Sequence, residues 1–219
     1  MNARMKLDFV SDVSCPWCAI GLQSLLAALA NLRNVVAADL HFQPFELNPN
    51  MEPGGQDIAE HIAQKYGSSR QQFAQSQEMI RARGAQLGFR FDMGKRTRIF
   101  NTFDAHRLLH WAGIEGKQLQ LKQALFSAYF TDGVDVSEHT QLCRIAAQVG
   151  LDPARAQEIL ASDDYAADVR AREQFYRSQN INAVPAVIVN DRHLIEGGQP
   201  VAVFEQVLRQ LAQKEQQPA

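Results

Sequence analysis

Cys15-Pro16-Trp17-Cys18 sets two sulfurs three positions apart where a strand-like run, Met5 to Val10, gives way to an apolar-periodic helix beginning near Trp17. Two thiols at that spacing can open and close a disulfide. The first turn of a helix leaves backbone N–H groups without intrahelical partners and gathers the positive end of the aligned peptide dipoles, which favours a thiolate at Cys15. Reactive cysteines in such settings titrate at roughly 3.5 to 7.5, against about 8.5 for a free thiol, and the thiolate is the attacking form. Cys18, nearly one turn further in, is placed to resolve a mixed disulfide held on Cys15. Pro16 suits the first helical position, whose N–H would be unpaired anyway. Trp17 gives the rim a flat apolar surface.

Other uses of the pair are weaker. A chain of 219 residues can bury a large core without a structural disulfide, and a two-residue loop between cysteines gains little from one. A Cys3His zinc site would need His139 and Cys143, four apart on an expected helix, as its other half. Structural zinc pairs usually sit on turns, whereas this one stands at a strand-to-helix junction, so no metal is expected. His106 and His110 fall one turn apart but lack a third ligand at a usual spacing. Cys143, between Leu142 and Arg144, reads as a small buried hydrophobe. Phe42, Phe45, Phe100, Phe103, Phe126 and Phe130 read as core.

Composition narrows the partners. Lys plus Arg is 22 against 24 for Asp plus Glu, so a net charge of −2 exerts no broad pull on nucleic acid or anionic membrane, and neither is expected as a partner. No apolar stretch approaches the ~20 residues that span a bilayer. Met1 to Lys6 carries no apolar leader pattern, which points to a cytoplasmic chain, and three cysteines in a reducing compartment favour a working dithiol over a disulfide scaffold. Only the Gln-rich tail after Ala212 reads as disordered.

Around the dithiol the order of elements is readable. Lys6 to Val10 is a strand, Trp17 to about Leu32 a helix with apolar residues at helical spacing, and Ala38 to Phe45 a second strand; together they make a β-α-β unit with parallel strands. From Glu52 to about Asn180 helices alone are expected: Asp57 to Tyr66, Ser69 to Gln86, Ile99 to Ala112, Lys117 to Phe130, one capped by Ser137 and reaching Val149, one opened by Asp152-Pro153, and one opened by Ser162. Pro185 to Val189 and His193 to Glu196 form a hairpin around the turn dipeptide Asn190-Asp191, and a last helix follows Gly197-Gly198-Gln199-Pro200. This is an α/β frame, residues 1–52 and 180–219, carrying an inserted helical subdomain, residues 53–179.

Pro185 on its own reads as a strand start after a loop, and X–Pro bonds are cis in only about 5–6% of cases. Beside the other motifs it says more. A C-P-W-C dithiol on the first β-α junction, a helical insertion and Val184-Pro185 opening the third strand resemble the thioredoxin-like fold of the DsbA family. Pro44 to Pro49, Asn101 to Leu108, Tyr129 to Gly133 and Gly197 to Pro200 resemble its FrnE-type branch of dithiol–disulfide oxidoreductases and isomerases. The resemblance implies a thioredoxin-like fold, Cys15 attacking, Cys18 resolving, and Pro185 as a cis-proline that keeps metal off the dithiol and guides an extended substrate. It implies no bound cofactor beyond the redox-active disulfide, with glutathione as a candidate co-substrate and a disulfide- or thiol-containing protein or small molecule as partner. A homodimer is compatible with it. Related glutathione-dependent kappa-class transferases and 2-hydroxychromene-2-carboxylate isomerases usually carry serine at the position of Cys15; such an enzyme, acting on a small aromatic or polyketide-like molecule, is the alternative reading. Asn48, Val184, Gly198 and Gln199 are the candidates for glutathione contact, and Asn101 and His106 for lining the cleft.

Overall fold

The spine of the molecule, a computed structural model that describes residues 2–216, is the strand β1 (Ala3–Ser11). Its first residues alternate buried and exposed; from Leu7 onward every side chain is buried, as befits a strand covered on both faces. The helix α1 (Pro16–Asn31) follows, and β2 (Val36–Pro44) returns parallel to β1, with Leu7 opposite Leu40 and Phe9 opposite Phe42. The Phe9 and Phe42 rings meet edge to face at 5.7 Å.

The next segment holds β3 (Gln56–Asp57), α2 (Ile58–Tyr66), α3 (Arg70–Gln86), β4 (Arg98–Ile99), α4 (Phe103–Ile114), α5 (Gln118–Phe130), α6 (His139–Gln148), α7 (Pro153–Ala161) and α8 (Ala166–Ser178). Then β5 (Ala186–Val189) pairs antiparallel with β1, β6 (His193–Glu196) pairs with β5, and α9 (Val201–Gln216) closes the chain against α1. The sheet order is β2-β1-β5-β6. Asn190 and Asp191 take the left-handed conformation, φ 51° and 57°, that a tight two-residue hairpin turn needs and that their short polar side chains tolerate. The expected frame with its helical insert is the observed one, an arrangement of β-α-β and β-β-α around an insertion.

The insert departs from the expectation in four places. It is not helical throughout, because β3 and β4 pair antiparallel, Gln56 with Ile99 and Asp57 with Arg98. The helix expected from Ile99 begins at Phe103 instead: the Asn101 Oδ1 accepts the Phe103 N–H at 2.8 Å, and that local turn holds Ile99 in the small sheet. Glu138, not Ser137, caps α6, accepting from the amides of Thr140 and Gln141 while the Ser137 hydroxyl turns to Asp135. Ser162 ends α7 and does not open α8; its carbonyl receives the Arg107 guanidinium, and α8 starts after Tyr165, which sits at φ 62°. The tail expected to be disordered continues α9 as far as Gln216, and residues 217–219 lie outside the described residues.

One hydrophobic cluster runs through frame and insert, taking in Leu22 and Leu25 of α1, Phe126 and Phe130 of α5 and Ile145 of α6. The insert therefore packs on the frame as shared core, with α3 and α5 against α1.

Candidate active site

Cys15 is the N-cap residue of α1, with extended backbone, φ −88° and ψ 113°. Its carbonyl accepts from the amides of Cys18 and Ala19, and Pro16 fills the first helical position. The Cys15 Sγ lies 3.7 Å from the Val184 carbonyl oxygen, to which the thiol donates, and the Val184–Pro185 peptide is cis. Cys15 keeps a 5% exposed edge, while Cys18 is wholly buried; neither is in a disulfide. Burial pushes the Cys18 thiol well above its ordinary range, and its hydrogen bond to Cys15 and that neighbour's charge push it further. At neutral pH Cys18 keeps its proton.

Behind the dithiol stands a buried ionic group. Asp12, three residues before Cys15, is fully enclosed, its Oδ1 accepting the Ser14 amide at 3.1 Å and its Oδ2 accepting the Ser14 hydroxyl at 3.0 Å and the Leu47 amide at 2.7 Å. Burial would raise its pKa, but His106, whose Nε2 is 3.7 Å from Oδ1, and the two amides outweigh burial and hold the carboxyl at about 2. Lys122 of α5 is also fully buried, its ammonium 4.9 Å from the Phe126 ring centroid. Burial lowers its pKa to about 8, against the opposing pull of Cys18, Asp12 and Cys15.

In front of Cys15 a cleft of about 660 Å³ opens between frame and insert. Pro16, Trp17, Val184 and Phe45 form its frame side; Ile58, Ile62 and Tyr66 from α2 and Phe73 and Ile80 from α3 form the other. Its cations are already engaged. Lys65 donates to the Leu47 carbonyl and the Asn48 side chain, both at 2.7 Å; Arg177 reaches the Glu46 carbonyl at 3.0 Å; Arg96 donates to the Ser14 carbonyl at 3.3 Å and lies over the Tyr129 and Phe130 rings. Burial and the neighbouring Glu173 lift Glu46, at the cleft's end, to about 7. An apolar groove with one sulfur at its base suits an extended or flat thiol-bearing molecule.

The family model of the DSBA-like thioredoxin domain matches residues 6–209. The chain is a member of that family. Among solved structures this DsbA-like chain is similar to a probable DsbA oxidoreductase from Streptomyces coelicolor, at 31% identity and TM-score 0.89, covering 98% of this chain and 92% of the other. It is also similar to the cytosolic disulfide reductase DsbM from Pseudomonas aeruginosa, solved with GSH, at 18% identity and TM-score 0.57 over 95% and 99% of the two chains. A curated relative, the uncharacterized protein YwbO of Bacillus subtilis, is 25% identical over 210 residues, 95% of this chain and 96% of its own. Family and neighbours together support an oxidoreductase.

The fold of this DsbA-like chain gathers some of the sequence candidates and scatters others. Cys15, Pro16, Trp17, Val184 and Asn48 line the cleft together, with Pro185 joined to Val184. Gly198 and Gln199 do not. A Cβ on Gly198 would come within 2.9 Å of the Trp17 carbonyl oxygen, so this glycine lets the turn before α9 pack against the first turn of α1; Gln199 bonds back to the Glu196 carbonyl. Asn101 is spent on the Phe103 amide, and its remaining reach, 3.5 Å, is to the Pro49 carbonyl. His106 is 3% exposed and faces Asp12 and a second cavity, not the cleft. His139 pairs with Asp104 at 2.8 Å, and the described residues contain no group of three or more His, Cys, Asp and Glu suited to a metal. No helix among them is long and apolar enough to cross a membrane.

Sequence reasoning missed Asp12, Lys122 and the α2–α3 wall. For Lys122 a signal existed: Leu125, Phe126 and Tyr129 lie three, four and seven residues on, which puts the lysine on the buried stripe of its own helix.

Proposed function

We propose that the chain is a thiol–disulfide oxidoreductase in which Cys15 attacks and Cys18 resolves. The observation that carries this is the asymmetry of the two sulfurs. Cys15 stands at the helix tip on the cleft floor, and Cys18, fully buried, holds its proton beneath it. The Cys15 thiolate attacks a substrate disulfide; one S–S bond breaks, a mixed disulfide forms, and the first substrate sulfur leaves as thiolate. Cys18 then loses its proton and attacks the Cys15 sulfur, closing the Cys15–Cys18 disulfide and releasing the second substrate thiolate. Two electrons pass to the substrate, and a thiol donor restores the dithiol; the reverse sequence oxidises a dithiol. A tenfold bias in direction needs only about 30 mV between the pair and its partner.

In this reading Val184, through its carbonyl next to Cys15 and its place in the cleft wall, sets the path of an extended substrate, and Pro16 and Trp17 shape the rim. The partner is a disulfide- or thiol-bearing protein or small molecule in a reducing, cytoplasmic setting. The GSH in the structure of DsbM supports glutathione as a co-substrate here, where Asn48 and the apolar wall of α2 and α3 would receive it. Trapping tests the proposal. Cys18→Ala is expected to accumulate mixed disulfides on Cys15, identifiable by mass spectrometry as protein or glutathione adducts, and Cys15→Ser to accumulate none. Adducts on Cys143 alone would refute it.

A further inference from the structure

A second cavity, of about 250 Å³, shares no lining residue with the substrate cleft. It lies among β2, α4, α5 and α8, and no Asp or Glu lines it. Five lining side chains carry or can take positive charge: His41, His106, His110, Lys122 and Arg172. Gln118 contributes wall only, since its amide is committed to the Phe42 backbone and the Leu109 carbonyl. The feature that calls for a ligand is Lys122. Its Nζ is fully buried and has no hydrogen-bond partner among the described residues, and Lys122 is among the residues that line the cavity; the buried His106 Nε2 likewise lacks a close hydrogen bond, its nearest charge being Asp12 Oδ1 at 3.7 Å. A buried ammonium without a hydrogen-bond partner is unfavourable in a folded protein; the charges of Cys18, Asp12 and Cys15 ease it in part, but the Asp12 oxygens bond Ser14 and Leu47 and make no hydrogen bond to it. Water can fill such a space, but no carboxylate among the lining residues competes with an anion for the ammonium.

We infer that this cavity is a binding site for a small oxyanion, held between Lys122 and His106 at its floor and His41, His110 and Arg172 at its mouth. The burial gradient fits: Lys122 and His106 are buried, His41 and His110 half-buried, and Arg172 exposed. The volume corresponds to about eight waters at the liquid share of ~30 Å³ each, room for a phosphate- or sulfate-sized ion and part of its shell. The charges facing the site are few. Asp39 pairs with His41 at 3.0 Å, Asp168 and Arg172 act on His110, Asp12 faces His106, and Asp12, Cys15 and Cys18 act on Lys122. Binding weakens as pH rises past about 8, where Lys122 loses its proton.

The test is calorimetric titration of inorganic phosphate, and separately sulfate, into the full chain in phosphate-free buffer, with the histidine ring resonances followed by NMR. One saturable site per chain is expected, moving the His106 and His110 signals and not that of His61, which lines the substrate cleft. Lys122→Met is expected to weaken binding about tenfold or more, the usual loss for a hydrogen bond to a buried charge. Arg172→Ala, at an exposed position that does not endanger folding, is expected to weaken it several-fold. Absence of saturable binding at millimolar phosphate would overturn the inference. So would binding unchanged in both variants, or binding lost in Lys65→Ala, which would move the ion to the substrate cleft.

Discussion

The two cavities on either side of the dithiol are built from opposite materials. The front cleft is walled by Trp17, Ile58, Ile62 and Phe73, and its lysine and arginines are tied to backbone carbonyls or laid over rings; the rear cavity has few large apolar groups, and its most buried cation is unspent. Cys15 opens on the first, while Cys18 shares its enclosed surroundings with Asp12 and Lys122, the latter reaching the second. Under the proposed function, a sulfur that meets varied disulfides benefits from apolar surface whose charges are already engaged. A sulfur that must hold and surrender a proton in a dry interior needs ionisable groups close by. The difference teaches that apolar surface and buried charge are assigned to separate faces of one helix start, joined through the Coulombic link between Lys122 and the two sulfurs.

That division can be broken or sharpened by substitution. The largest effect is expected from Cys15→Ser, which removes the attacking sulfur from the front: disulfide reductase activity should fall roughly a thousandfold or more, while thermal stability changes little. A variant that kept a tenth of its turnover would show that the front cleft is not where chemistry begins.

On the rear side, Lys122→Met is expected to raise stability at pH 7 by about 3 kcal/mol. The native pKa, about 8, lies below the ordinary lysine value of 10.5. The folded state therefore bears the full burden of a buried ammonium below pH 8, and that burden fades as pH rises from 8 to 10.5. Urea unfolding at pH 7 and pH 10, in phosphate-free buffer, should show the gain shrinking; an equal gain at both would mean that packing alone is responsible.

Asp12→Asn should act in the opposite sense. Its native pKa of about 2, against an ordinary 3.8, means that the charged carboxylate stabilises the fold fully above pH 4 and progressively less as pH falls through 2. A loss of about 2 kcal/mol is expected at pH 7 and much less near pH 2, read by denaturant titration at each. The smallest effect belongs to the front wall: Tyr66→Ala, at a side chain already 59% exposed, should raise KM for a peptide disulfide several-fold and leave kcat unchanged. A change in kcat instead would place Tyr66 at the reacting sulfurs.

Much of the frame was legible because its signals are local. The Cys-Pro-Trp-Cys step, the apolar spacing of α1 and the Asn190-Asp191 turn each depend on neighbours a few residues away. The insert's errors have two causes, long-range pairing and local competition for the same hydroxyl. Ile99 has an apolar residue's helix-compatible pattern, yet it pairs with Gln56, 43 positions earlier; Ser162 and Ser137 are good caps in isolation, but the Ser162 hydroxyl bonds the Ile159 carbonyl and the Asp164 amide while its carbonyl takes Arg107, and the Ser137 hydroxyl goes to Asp135. Gly198, a candidate for glutathione contact, lies outside the cleft lining, and what the fold asks of it is steric, a close approach to the Trp17 carbonyl.

What the sequence by itself determined is the covalent geometry of the chemistry: two thiols one turn apart at a helix tip, in a β-α-β frame whose hydrophobic periods are short-range. Only the tertiary structure decided which sulfur opens on the cleft, which is buried with its pKa raised, and that Asp12, His106 and Lys122, from a loop and two insert helices, converge behind them. Spacing along a chain specifies helices and turns, but burial and charge depend on residues more than a hundred positions apart, and those sums exist only once the chain has folded.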